Sequence, residues 1–257
     1  MSAPTAGELL FADYLQRHGI RADREYQWGH TAKRPDYRYV HSTAGPVVIE
    51  QKDIMLAPPR RAGVYDPYAA LREHIAAARE QFKPFKGFPC VLVLYAVYDS
   101  PLVPLSDPTA VLGAMYGDMG FKLPFNPELG HFDREQMKRE FLPGRGKMVH
   151  RAGGNTVRFQ NTRISALVTL HRFDVQMLRK LRHARVPGGA SELWDGRVSF
   201  EEDTQPGVTV WENAYADARL PQDFFRGELD RWWTVTESGQ QERTYIGDLL
   251  KQLLPDE

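Results

Sequence analysis

Residues 46–53, Pro-Val-Val-Ile-Glu-Gln-Lys-Asp, constrain this chain more than any other stretch. Val47-Val48-Ile49 is apolar on both faces of an extended chain, the pattern of a central strand covered from both sides. The run then turns charged without a turn signal. Glu50 and Lys52 are two apart, so on a strand they point to one face and can share a site, while Gln51 points to the other. Charged groups on such a strand are costly unless they are paired or bind a metal.

The surrounding segments place this strand in an α/β order. Thr5-Ala-Gly-Glu8 has the form of a capping box, and Phe11, Tyr14 and Leu15 follow at helical spacing, which predicts a helix from Ala6 to His18 stopped by Gly19. Glu25–Trp28, Asp36–His41 and Pro46–Asp53 read as short strands, the last two joined by the loop Ser42-Thr43-Ala44-Gly45. Asp66-Pro67 reads as an N-cap and first helical position for a second helix with the stripe Leu71, His74, Ile75, Ala78 and Phe82, ending before Pro84. A buried strand over Pro89–Val97 follows. The predicted order is α-β-β-β-α-β, with the last strand reached through a helical crossover in a mixed sheet.

Beyond residue 100 the signals are sparser. A helix is expected after Asp107-Pro108, another over Asp133–Phe141, a strand over Arg163–Leu170, a helix over Asp174–His183 and a strand over Val208–Trp211. The aromatic pairs Phe224-Phe225 and Trp232-Trp233 are expected in the core. Residues 1–100 are read as the core and 101–257 as an α+β extension packed on the same domain.

Composition narrows the chemistry. The single Cys90 lies in an apolar run, which excludes an intrachain disulfide and a Cys-based zinc site and makes a buried structural thiol the expectation. The eight histidines show no His-x-x-x-His pair. No stretch approaches the roughly 20 apolar residues needed to cross a bilayer, and the first ten residues lack a secretory pattern, so no membrane partner and a cytoplasmic location are expected. The net charge of zero conceals a division: residues 186–257 carry 6 basic and 15 acidic side chains, a net of −9, which leaves +9 on residues 1–185. A basic body of this kind suits a polyanion, and the acidic C-terminal third suits a protein partner or a second copy of the chain.

Asp36 begins the strand before the Glu50 strand and joins its charged face only if the hairpin register sets it opposite residue 50 or 52. Two carboxylates and the Gln51 backbone carbonyl are hard oxygen ligands suited to Mg²⁺ or Mn²⁺. Such an ion polarises a phosphodiester and activates a water that Lys52 can position.

Pro35-Asp36, 13 intervening residues and Glu50-Gln51-Lys52, within this α-β-β-β-α-β order, resemble the PD-(D/E)XK nuclease superfamily, which is restriction endonuclease-like. The resemblance covers little more than a third of the chain. It implies a mixed-sheet core with helices on both faces and metal-dependent hydrolysis of a nucleic acid, DNA before RNA. Asp36 and Glu50 would be the metal ligands and Lys52 the catalytic lysine. Many members carry an acidic residue in the first helix, for which Glu8 is the candidate, although its capping box explains it equally well. Lys33 and Arg34, just before Asp36, and Arg145 and Lys147, in the Gly144–Gly154 stretch, are candidate phosphate contacts. So are Arg179, Lys180, Arg182 and Arg185, at a predicted helix end. The alternative reading is a non-catalytic module that keeps the fold and binds nucleic acid or protein.

Overall fold

The computed structural model describes residues 3–29, 31, 33–54, 68–96, 105, 108–117, 119–122, 125–126, 131–132, 138–141, 146–151, 157–175, 204–235 and 241–253. The first six elements are α1 (Ala6–Arg17), β1 (Ala22–Arg24), β2 (Tyr37–His41), β3 (Gly45–Ile54), α2 (Ala69–Phe82) and β4 (Cys90–Ala96). This is the α-β-β-β-α-β order expected from the sequence. Thr5 and Glu8 form both halves of the capping box, and Gly19 leaves α1 at φ +64°, a conformation glycine adopts without a Cβ clash. The Asp66-Pro67 start assigned to α2 lies outside the described residues; within them α2 is preceded by Tyr68.

The chain continues through α3 (Pro108–Tyr116), three small two-stranded sheets, β11 (Ala166–Asp174), β12 (Thr204–Glu212), β13 (Arg231–Val235), β14 (Gln241–Ile246) and α4 (Asp248–Leu253). The small sheets pair β5 (Met119–Lys122) with β8 (Lys138–Phe141), β6 (Phe125–Asn126) with β7 (His131–Phe132), and β9 (Val149–Arg151) with β10 (Val157–Phe159). One mixed sheet of eight strands, in the order β1-β2-β3-β4-β11-β12-β13-β14, unites both halves of the chain. The joint is the parallel pairing of β4 with β11, Val91 beside Ala166 through Tyr95 beside Leu170. Among the described residues, no helix is long and apolar enough to cross a membrane.

Alternation along the strands divides the core into two layers. On one face Leu10, Phe11, Tyr14 and Leu15 of α1 pack on Val47, Ile49, Val91, Val93, Val168 and Val210. On the other, Leu71, Ile75, Ala78 and Phe82 of α2, with Val111, Leu112 and Met115 of α3, pack on Val48, Ile54, Leu92, Leu94 and Trp211. Each fully buried side chain of this size contributes about 1.5–3 kcal/mol. Val47, Val48 and Ile49 are wholly buried, as a central strand demands. Cys90 is buried as well, and burial pushes its thiol up to about 12, so it is inert at neutral pH.

Four expectations are corrected. The strand assigned to Glu25–Trp28 is instead β1, three residues earlier; Glu25 stands at φ +49°, which ends the strand. Tyr26 and Trp28 alternate because they pack inward, Tyr26 under the Arg38 guanidinium at 3.4 Å and Trp28 against Phe85 and Phe88. Residues 138–141, assigned to a helix, are a strand held by Met119–Lys122. The strand assigned to Arg163–Leu170 begins at Ala166 and runs on through Asp174, because Phe173 and Asp174 still pair with Gln205 and Thr204. The helix assigned to 174–183 therefore cannot start at Asp174; Val175 is the first helical residue, and the remainder lies outside the described residues. Trp232 and Phe225 are in the core, as expected.

Candidate metal-binding carboxylate site

The hairpin register answers the parity question. β2 and β3 pair antiparallel with Tyr37 opposite Ile49, so one further step sets Asp36 opposite Glu50. Glu50 and Lys52 share the parity of Val48 and Ile54, which pack on α2, and so they lie on the α2 face of the sheet. The three side chains meet there. Lys52 Nζ lies 2.6 Å from Glu50 Oε1 and 3.6 Å from Asp36 Oδ2. Asp36 is anchored from below, since the Gln51 backbone N–H donates to its Oδ2 at 2.8 Å. A residue's N–H and C=O leave the same side of a strand, so the Gln51 carbonyl also points to the Asp36 side.

Exposure grades across the trio: the Glu50 side chain is 7% exposed and the Lys52 side chain 43%. Burial first, and then the negative charge of Asp36, raises the Glu50 carboxyl above its ordinary value. Lys52 shows a different balance. Burial alone would lower its ammonium, but the hydrogen bond and charge of Glu50, and then those of Asp36, raise it above the usual lysine value. Lys52 is therefore a firmly held cation. Glu50 Oε2 is buried and has no hydrogen-bond partner among the described residues.

The back of the same strand is clamped to α1. Gln51 Nε2 donates to Asp53 Oδ1 at 2.7 Å, and the Gly7 N–H in the first turn of α1 donates to Asp53 Oδ2 at 3.3 Å. A Cβ at position 7 would stand 2.0 Å from Asp53 Oδ1 and 2.2 Å from Gln51 Nε2, so this approach requires glycine.

The other candidates fall in different places. Glu8 does not join the cluster. Its Oε2 accepts the Thr5 N–H and the Arg24 guanidinium, both at 3.0 Å, and it sits on α1, across the sheet from Glu50 and Lys52. Lys33 and Arg34 are exposed on the loop that leads into Asp36, with the Arg34 carbonyl accepting Gln81 Nε2 at 3.3 Å. Lys147 lies beside the end of α3, where its N–H donates to the Ala114 carbonyl. Arg145, Arg179, Lys180, Arg182 and Arg185 lie outside the described residues. One neighbour was missed: His74 of α2, read as part of the buried stripe, stands where the Lys52 charge reaches it. Burial first, and Lys52 after it, lowers its imidazole, with Glu73 opposing. No spacing in the sequence relates residues 52 and 74.

Among the described residues no three His, Cys, Asp or Glu side chains converge, so the pair of Asp36 and Glu50, with the Gln51 carbonyl beside them, is the donor set available. That set still fits a hard divalent ion, because Mg²⁺ commonly takes one or two carboxylates and keeps several waters. No family model, curated protein or solved structure matches this chain.

Proposed function

We propose that this protein is a metal-dependent nuclease of restriction endonuclease-like fold, hydrolysing phosphodiester bonds in DNA. The observation that carries the reading is the convergence of Asp36, Glu50 and Lys52 across the β2–β3 hairpin, with the buried Glu50 Oε2 lacking a partner among the described residues. Asp36 Oδ2, Glu50 Oε2 and the Gln51 carbonyl would hold Mg²⁺ or Mn²⁺. The ion, when bound, supplies Lewis-acid polarisation of the phosphodiester and a more acidic water. Lys52 carries out its part as a cation: it orients the attacking water and offsets charge on the phosphate in the transition state. Gln51 fixes the Asp36 carboxylate through its N–H, and the Gly7–Asp53 clamp fixes the strand that carries Glu50 and Lys52.

The test is incubation of supercoiled plasmid and of single-stranded substrates with Mg²⁺ or Mn²⁺, beside Asp36→Ala and Lys52→Ala. Each substitution is expected to lower cleavage by about 10²- to 10⁴-fold. Cleavage that survives both at the wild-type rate overturns the assignment.

A second reading is a non-catalytic nucleic-acid-binding module, favoured by the +9 charge of residues 1–185. It predicts salt-sensitive DNA binding with no cleavage and no response to metal.

A further inference from the structure

A cleft of about 430 Å³ opens between the C-terminal end of α2 and residues 159–164. Three cations line it, Arg79, Lys83 and Arg163, against the single carboxylate of Glu80. The Arg79–Glu80 contact is 3.9 Å long between side chains more than 60% exposed, so it holds Arg79 weakly and leaves it free to turn to an anion. Arg163 is better placed, since its guanidinium donates to the Lys83 carbonyl and bridges the two walls.

The far wall carries Phe159, a large apolar side chain that is 52% exposed. Its ring stacks on Tyr215 at 4.1 Å between centroids with 21° between planes, and Tyr215 in turn meets the buried Tyr116 edge-on. One face of Phe159 is thus backed by a fixed aromatic column. The turn beside it is also held: Asn161 keeps a left-handed φ of +53° while its Nδ2 donates to the Lys147 carbonyl, and Thr162 donates to Asp217. A backbone strained in this way persists only where its surroundings over-determine it.

We infer that this cleft binds an unpaired nucleotide of a single-stranded nucleic acid, with Arg79 and Lys83 on the phosphate and Phe159 stacked on the base. Aromatic rings take bases only when those bases are free of a duplex, whereas cations alone would accept either form. The inference deepens the nuclease reading and rests on it for the class of ligand. Gln81, on the flank of α2 away from Arg79 and Lys83, holds the Arg34 carbonyl, so the exposed Lys33 and Arg34 lie near the same end of the helix but outside the cleft.

The experiment is fluorescence anisotropy with a short labelled single-stranded oligodeoxynucleotide and with its duplex, using the full chain in EDTA so that hydrolysis plays no part. Phe159→Ala is expected to weaken single-strand binding by about tenfold and to leave duplex binding unchanged. Lys83→Ala and Arg79→Ala are each expected to lower the slope of log affinity against log salt by about one. Thermal melting of the same variants, all at exposed side chains, verifies that the fold is retained. Single-strand affinity within about twofold of wild type in Phe159→Ala, or an equal loss on duplex, overturns the inference. The wild-type protein separates the two readings: single-strand binding that depends on Phe159, without any metal-dependent cleavage of the same oligonucleotide, would overturn the nuclease assignment alone.

Discussion

Lys52 Nζ stands 2.6 Å from Glu50 Oε1, and the same ammonium reaches Asp36 at 3.6 Å, so the place a divalent cation would share is already occupied in part by a positive charge. On the proposed function, lysine and metal would compete for the same two carboxylates. Lys52→Ala is therefore expected to bind Mn²⁺ more tightly than wild type, by about tenfold, while losing cleavage. Isothermal titration without substrate reads the first effect and plasmid cleavage the second. Unchanged or weaker Mn²⁺ binding in the variant would show that the ammonium does not repel the ion.

Metal affinity should also depend on pH. Burial, followed by repulsion from Asp36, raises Glu50 above its unfolded value, so the fold favours its neutral form. Its contribution to stability is complete below the unfolded carboxyl value and is lost as pH rises through the raised folded value. A metal ion binds the ionised form and reverses that preference. Mn²⁺ should bind more tightly as pH rises through the folded value, releasing a proton. Titration in two buffers of different ionisation enthalpy measures that proton, and affinity flat with pH would contradict the assignment of Glu50 as a ligand.

Gly7 is a test of the clamp behind the site. Gly7→Ala drives a methyl into Asp53 and Gln51 and should destabilise the protein by about 1–3 kcal/mol, the cost of overpacking at a site that cannot collapse. Helix propensity alone would make the same change stabilising. Urea denaturation gives the sign directly. A more stable variant would mean that the strand yields to the added methyl.

Asp230 joins α1 to the C-terminal strands. Fully buried, it accepts the Tyr14 hydroxyl and the Gly227 N–H through Oδ2 and the Val208 N–H through Oδ1. Burial, with the charge of Asp230 next, raises the Tyr14 phenol well above its ordinary value, so it is a donor at neutral pH. Tyr14→Phe removes that donor from a buried carboxylate at a cost of about 1–3 kcal/mol. Equilibrium unfolding at neutral pH checks it, and a change below about 0.5 kcal/mol would mean that water replaces the hydroxyl.

Local signals made the first hundred residues legible. The Thr5–Glu8 box, the Gly19 stop and the Val47–Ile49 run each act within a few residues, and each appears in the structure where its chemistry requires. The parity of Asp36 was open, because one residue more or less in the 42–44 loop would turn its carboxylate to the other face. Beyond residue 100 the determinants are distant. Residues 138–141 are extended because Met119–Lys122 lies beside them, and β11 runs on to Asp174 because Thr204 pairs with it. His74 and the Gly7–Asp53 contact came from packing across layers, which periodicity along one segment does not encode.

The parallel joint between β4 and β11 shapes how the protein can be made. Val91–Leu94 are wholly buried, yet the partner that covers their outer edge begins at Ala166, some 70 residues later in synthesis. Until that partner emerges, the nascent chain presents an apolar strand edge open to any neighbouring chain. Folding is accordingly expected to be slow, and a fragment ending near residue 100 to aggregate rather than stand as an independent core.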